Sequence, residues 1–180
     1  IRWPDEALAQ EARLFQYKWP AVLAYLRANR LNHDVIRGSK DRFGLIASGK
    51  AYNDTRQALL DLGLDEARCN ELGVRLHKVG VVWPLEQEGV RDFARGLREV
   101  LVVEEKRAII EPQIKEQLYH WPDAERPVVN GKWDNPQAQG DFLLRPQYEL
   151  NPGVIARAIA RRLIALGVDA DTRARIDARL

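Results

Sequence analysis

Three times in this chain an apolar run leads through a turn into a helix-periodic segment. The stretch from Val100 to Tyr119, VLVVEEKRAIIEPQIKEQLY, shows the unit most plainly. Leu101, Val102 and Val103 form a continuous apolar run, as a strand covered on both faces requires. Glu104, Glu105, Lys106 and Arg107 then place four charges where that strand reaches its carboxyl end. The following helix is expected from near Ile109, because Pro112 is tolerated in a first turn but costs a hydrogen bond deeper inside. An earlier unit pairs a strand at Phe43 to Ala47 with a helix from Tyr52 to Leu62, turned at Ser48-Gly49 and stopped by Gly63. Another runs from a strand at Val74 to Val79, through a turn at Gly80, into a helix from Leu85 to Leu97. Pro84 stands at the start of that helix, with Leu85, Phe93 and Leu97 pointing inward. A weak strand near Val35-Ile36, another at Pro127 to Asn130 and a helix from Pro152 to Ala165 complete the pattern. Alternation of this kind predicts a three-layer α/β/α fold with a mainly parallel sheet and right-handed crossovers.

Residues 4 to 31 read as helix, with Leu8, Leu14, Phe15, Val22, Leu23 and Leu26 as an apolar stripe and Trp19-Pro20 as an interruption. The expected organisation is a helical arm or linker from an upstream domain over 1–34, the α/β/α domain over 35–167 and a basic C-terminal tail over 168–180. Arg157, Arg161, Arg162, Arg173, Arg175 and Arg179 cluster towards that end, and they read as a solvated helix face rather than a phosphate-binding surface. Between Gly131 and Leu150 the chain has turn chemistry without periodicity. A loop of that length inside a compact domain points to an outside contact, with Lys132 and Trp133 as its candidate residues.

The 28 basic and 26 acidic residues leave a net charge of +2, too balanced and too interleaved to imply a nucleic-acid partner. No apolar run approaches the roughly 18 residues of a membrane span, and the N-terminus lacks a secretory signal, so no membrane association and a cytoplasmic location are expected. Cys69 is the only cysteine, which excludes an internal disulfide and any cysteine-ligated cluster or zinc site built from this chain alone. The chain contains no methionine and starts at Ile1, which suggests a piece cut from a longer polypeptide; tag removal is the other explanation.

Gly44 to Ala51, GLIASGKA, nearly satisfies the phosphate-loop pattern, but Leu45, Ile46 and Ala47 are needed as strand and Ala51 lacks the magnesium-binding hydroxyl. Nucleoside triphosphate hydrolysis is therefore rejected. Two readings of Ser48-Gly49-Lys50 remain: amides at a helix start that hold an anion or a partner's carboxylate, or a tight turn in which glycine permits close packing. Tyr52 either adds a hydroxyl at that edge or packs. Glu104 and Glu105 point to opposite faces of an extended backbone, so they do not form an acid/base pair. Glu104 is expected to bond to turn amides or to pair with a cation such as Lys50, with both charges exposed at the edge. His33, His77 and His120 are isolated and read as surface or packed histidines.

On Ser48-Gly49-Lys50-Ala51-Tyr52, Val102 to Arg107 and Gly131-Lys132-Trp133-Asp134, the chain from about Arg13 to Leu163 resembles the indolepyruvate:ferredoxin oxidoreductase family. The resembling part is an internal domain like the transketolase C-terminal domain. The resemblance implies a large enzyme that oxidatively decarboxylates arylpyruvates, with thiamine diphosphate, magnesium and iron-sulfur clusters as cofactors. It also implies coenzyme A and ferredoxin as partners, a homodimer when full-length, and other domains of the same polypeptide around this one. Gly140-Asp141 is similar to the start of the thiamine diphosphate motif, but Phe142 replaces its third residue and no asparagine follows Asn151. No catalytic, cofactor-binding or metal-binding residue is therefore assigned, and the isolated chain is expected to be inactive. The candidate interface or anion-binding residues are Ser48, Gly49, Lys50, Tyr52, Glu104, Glu105, Lys132 and Trp133. The alternative is a stand-alone Rossmann-like module binding a small anion or nucleotide at the Ser48-Gly49-Lys50 turn.

Overall fold

In the computed structural model, which describes residues 2–134 and 142–180, five strands form one sheet. They are β1 (His33–Ile36), β2 (Phe43–Ser48), β3 (Val74–Val79), β4 (Glu99–Val103) and β5 (Val128–Asn130), in the order β1-β3-β2-β4-β5. β2 is central and pairs in parallel with β3 and β4, β4 pairs in parallel with β5, and only β1 at one edge runs antiparallel, against β3. The helices are α1 (Asp5–Arg13), α2 (Trp19–Ala28), α3 (Gly49–Asp61), α4 (Glu66–Leu72), α5 (Gln87–Ala94), α6 (Ile110–Leu118), α7 (Pro152–Leu166) and α8 (Ala170–Asp177). The mainly parallel α/β architecture is the one expected.

Strand alternation divides the buried residues between two layers of core. Phe43, Leu45 and Ala47 of β2, with Leu101 and Val103 of β4, meet α3, α4, α7 and α8 on one face. Ile46, Val100 and Val102 meet α5 and α6 on the other. Gly44 lies under α5, where an added Cβ would come within 2.5 Å of Leu97 Cδ1 and 2.7 Å of Phe93 Cζ, so a side chain there would push the helix off the sheet. The second face also buries two polar residues of β3. Arg75 pairs with Asp41 at 2.8 Å, and His77 Nδ1 lies 2.6 Å from Asp34 Oδ1 on the neighbouring strand.

Several elements differ from expectation. The helix after Pro84 begins at Gln87, because the buried Glu86 carboxylate caps it by accepting from the amides of Glu88 and Gly89. α4 was not foreseen; Asp65 caps its start and Gly73, with φ +76°, ends it. Residues 168–180, expected as a basic tail, include α8, whose Ile176 and Thr172 are buried. In the arm, a π-helical segment (Leu14–Lys18) joins α1 to α2 just before Pro20. The arm's apolar stripe is largely uncovered: Leu8 and Phe15 are exposed, and Leu26 is the stripe residue that is buried.

Candidate functional site: the carboxyl edge of the sheet

Parallel registers align Ser48 with Val79 and Ala47 with Val103, so the turns after β2, β3 and β4 emerge at one edge, as the sequence predicts. Between them lies a cleft of ≈ 340 Å³, lined by Ser48, Gly49, Lys50, Val82, Glu104 and Glu105 among others. Carboxyl edges of this kind are where open α/β sheets meet ligands and neighbours. Trp83 and Ile109 beside it are exposed, and Trp83 meets Trp19 of the arm edge-on with ring centroids 5.2 Å apart.

Glu104 is not an exposed charge. It is buried, and its carboxylate accepts from the amides of Ile109 at 3.0 Å, Ile110 at 2.8 Å and Glu111 at 3.0 Å, so it satisfies the otherwise unpaired donors at the start of α6. Of the two expected roles, bonding to turn amides holds and pairing with Lys50 does not. Glu111 is buried in turn and accepts from the Lys132 amide at 3.1 Å and from Lys115 Nζ. Lys132 is buried as well, and its ammonium donates to the Glu104 carbonyl. Burial pushes the Lys132 ammonium below the usual lysine range, while Glu104, Glu111 and Glu105 pull it back up. Glu104, Glu111 and Lys132 thus close a ring that binds the end of β4, the start of α6 and the end of β5 together. Sequence reasoning singled out two of its members and missed Glu111, whose burial depends on a tertiary neighbour 21 residues away.

Lys50 faces outward. Its ammonium binds Asp54 at 2.6 Å, Glu149 at 3.1 Å and the Leu150 carbonyl at 2.9 Å; Asp54 first, then Glu149, hold it above the usual lysine range. The cation that an anion at this turn would need is therefore already shared between two carboxylates. Ser48 makes no side-chain cap bond to α3. Gly49 adopts φ +54° with nothing within 4 Å of a notional Cβ, so glycine serves the turn's backbone geometry and not close packing. Tyr52 packs in the core, with Lys78 Nζ 5.1 Å from its ring centroid. Glu105 is partly exposed at the cleft. Trp133 is half-buried, stacks on Phe142 at 4.1 Å and pairs with it in a β-bridge, while Asp134 beside it binds Arg161. The edge therefore gathers Ser48, Gly49, Lys50, Glu104 and Glu105, turns Tyr52 inward and ties Lys132 from beneath.

The carboxylate of Glu104 is saturated with amide donors, and no group of three or more His, Cys, Asp or Glu among the described residues stands close enough to hold a metal ion. Cys69 is buried, donates weakly to the Leu64 carbonyl, and has its thiol pushed up to about 12 by burial, helped by Asp65, Glu66 and Asp41. The described residues do not fit thiamine diphosphate with its magnesium, nor an iron-sulfur cluster. Gly140-Asp141 lies outside the described residues.

Residues 32–180 match the family model described as the indolepyruvate ferredoxin oxidoreductase middle domain. The indolepyruvate oxidoreductase subunit IorA of Pyrococcus abyssi is 31% identical over 129 residues, 71% of this chain and 17% of that protein. The IorA subunit of Methanothermobacter thermautotrophicus is 32% identical over 133 residues, 73% of this chain and 19% of that protein. The chain thus spans less than a fifth of these relatives. Among solved structures, the 2-oxoglutarate:ferredoxin oxidoreductase of Magnetococcus marinus, with 2-oxoglutarate, coenzyme A and succinyl-CoA bound, superposes with a TM-score of 0.55. It is 13% identical and covers 91% of this chain and 24% of its own. At that identity the likeness is one of fold. The family match covers the whole sheet and every helix after the arm, including the Glu104–Glu111–Lys132 ring. This chain belongs to the indolepyruvate ferredoxin oxidoreductase middle-domain family.

Proposed function

We propose that this chain is a non-catalytic interface domain of an indolepyruvate:ferredoxin oxidoreductase, holding that enzyme's catalytic domains in register through the carboxyl edge of its sheet. In this reading the full-length enzyme is a cytoplasmic homodimer that converts arylpyruvates to aryl-acetyl-CoA and passes electrons to ferredoxin. Thiamine diphosphate, magnesium and iron-sulfur clusters are held by its other domains. Residues 1–34 serve as the arm from an upstream domain and 35–167 as the α/β/α body. The observation that carries the reading is the character of the edge itself. The Glu104–Glu111–Lys132 ring holds its backbone rigid from within, while Trp83, Ile109 and Lys50 remain at the surface beside the cleft. A rigid frame with exposed apolar side chains suits docking better than turnover.

The test places Lys50→Ala and Ile109→Ser in the full-length enzyme and measures arylpyruvate-dependent ferredoxin reduction together with assembly by sedimentation. Both variants should lose assembly or turnover while the isolated chain keeps its melting temperature. Wild-type assembly and turnover in both would exclude the edge as the docking surface.

A further inference from the structure

At the opposite end of the sheet, where β4 and β5 begin, a groove of ≈ 800 Å³ lies between the C-terminal end of α5 and the 121–126 turn. Four guanidinium groups line it, from Arg91, Arg95, Arg98 and Arg126, against a single carboxylate, that of Glu125, with Trp121 among its apolar residues. Elsewhere arginines of this chain are matched: Arg162 to Glu99, Arg75 to Asp41, and Arg37 to Asp34 and Asp92. Here they are not. The side chains of Arg91 and Arg98 have no hydrogen-bond or ion-pair partner among the described residues, and Arg91 Nε is shielded from solvent without an acceptor. Arg95 reaches only the exposed Asp92, at 3.4 Å.

Arginines near the end of a helix ordinarily complement its dipole by donating to the last carbonyls. That explanation accounts for Arg126, which donates to the Tyr119 carbonyl, and for Arg75, which donates to the carbonyls of Phe93 and Arg95 at the end of α5. It leaves Arg91 and Arg98 without a role, since α5's terminal carbonyls are served by Arg75.

We propose that this groove binds a small ligand carrying phosphate groups and a planar ring, of the nucleotide class. Guanidinium forks match phosphate oxygens in pairs and are weakly hydrated, so Arg91 and Arg98, without counter-charges of their own, supply the anion site. Trp121 offers the ring a stacking surface. A concave groove of this volume lies in the range of small-molecule sites, which fits such a ligand better than a flat protein partner. The proposal is independent of the docking edge, since the two lie at opposite ends of the strands.

Calorimetric titration of the chain with adenosine 5′-diphosphate, pyrophosphate and adenosine tests this. The diphosphate nucleotide should bind saturably and more weakly in high salt, pyrophosphate should bind about threefold or more weaker, and adenosine weakest of all. Arg95→Glu and Arg98→Glu, both at exposed positions, should each weaken nucleotide binding about tenfold or more, with circular dichroism confirming the fold. Trp121→Leu should abolish the preference for nucleotide over pyrophosphate. Arg107→Glu, exposed at the other end of the sheet, should change nothing. Any of four results would overturn the proposal: no saturation with millimolar nucleotide, unchanged binding in Arg98→Glu, pyrophosphate binding as well as nucleotide, or equal weakening by Arg107→Glu.

Discussion

The Glu111 amide donates to Glu104 Oε1 at 3.0 Å, while the Glu111 carboxylate accepts from the Lys132 amide and the Lys132 ammonium returns to the Glu104 carbonyl. Two acidic side chains thereby act as connectors between backbone segments. A carboxylate that accepts several amides at a helix start is stabilised by the dipole as well as by the bonds. This explains how two acids stay buried beneath the edge.

Glu104→Ala strips three amides of their acceptor at once, two of them buried, and should cost roughly 2–4 kcal/mol of stability. Lys50→Ala removes an exposed cation and should leave stability nearly unchanged. Urea denaturation of the chain separates them. Equal midpoints for the two variants would contradict the ring.

Gly44→Ala tests the close approach of α5. The new methyl would meet the buried Phe93 ring and Leu97 well inside van der Waals distance, and overpacking of this kind costs about 1–3 kcal/mol. The expected result is a lower melting temperature with unchanged far-ultraviolet circular dichroism. An unaltered melting temperature would mean that the helix can shift freely.

Much of this architecture is legible in the sequence, and what is not has identifiable causes. β3 runs from Val74 to Val79 as expected, and β2 and β4 fall where their continuous apolar runs lie, because strands buried on both faces leave an uninterrupted signal. α4 escaped notice although Asp65 and Gly73 bracket it with cap residues, since seven residues are too few for a clear period. The arm's stripe is periodic but largely uncovered, so periodicity correctly reports helix while saying nothing of what the helix packs on. His77 reads as isolated along the chain, yet its partner Asp34 sits directly opposite on the antiparallel edge strand, a register that a weak four-residue strand does not disclose. Glu104's burial and Glu111's role depend on the return of the chain at Gly131-Lys132, which is tertiary information.

Cys69 gives a pH-dependent prediction. With its thiol held up to about 12 by burial, above the ordinary thiol range, the folded state keeps a proton that the unfolded chain releases. Its contribution to stability is complete below the unfolded pKa and is lost progressively as pH rises from about 9 towards 12. Cys69→Ser should therefore flatten the alkaline limb of the stability profile, though with a lower plateau. At pH 8 the native thiol should resist disulfide reagents until denaturant is added, and labelling at the rate of a free thiol would refute the assignment.

Arg162 of α7 grips Glu99 at the start of β4 with two bonds, Nε to Oε1 at 2.6 Å and Nη2 to Oε2 at 2.9 Å. Glu99 is buried, so Arg162→Met leaves a charge without its counter-ion and should cost roughly 3–5 kcal/mol. Adding Glu99→Gln removes the stranded charge while keeping an acceptor for Asn130, whose amide lies 3.0 Å away. The double variant should therefore be more stable than Arg162→Met alone. If the second substitution lowers stability further, the cost lies in packing and not in charge.

The arm offers a prediction about where folding energy resides. Through residue 18, no described side chain is buried, whereas Leu26 is 2% exposed and Arg27 binds the buried Glu86 at 2.9 Å. The arm's contacts with the body thus lie in α2, where Trp19 meets Trp83 and Leu26 in the last turns is buried. Deleting residues 1–18 should leave the stability of the sheet unchanged within about 0.5 kcal/mol, because surface segments away from buried groups contribute little. Leu26→Ala should cost about 2–4 kcal/mol through the cavity it opens. Hydrogen exchange should agree, with fast exchange over α1 and strong protection over β2 and β4. A large loss of stability on deletion would show that the exposed stripe of Leu8 and Phe15 is covered by this chain's own body in solution, and that the arm is part of the core rather than a free attachment to it.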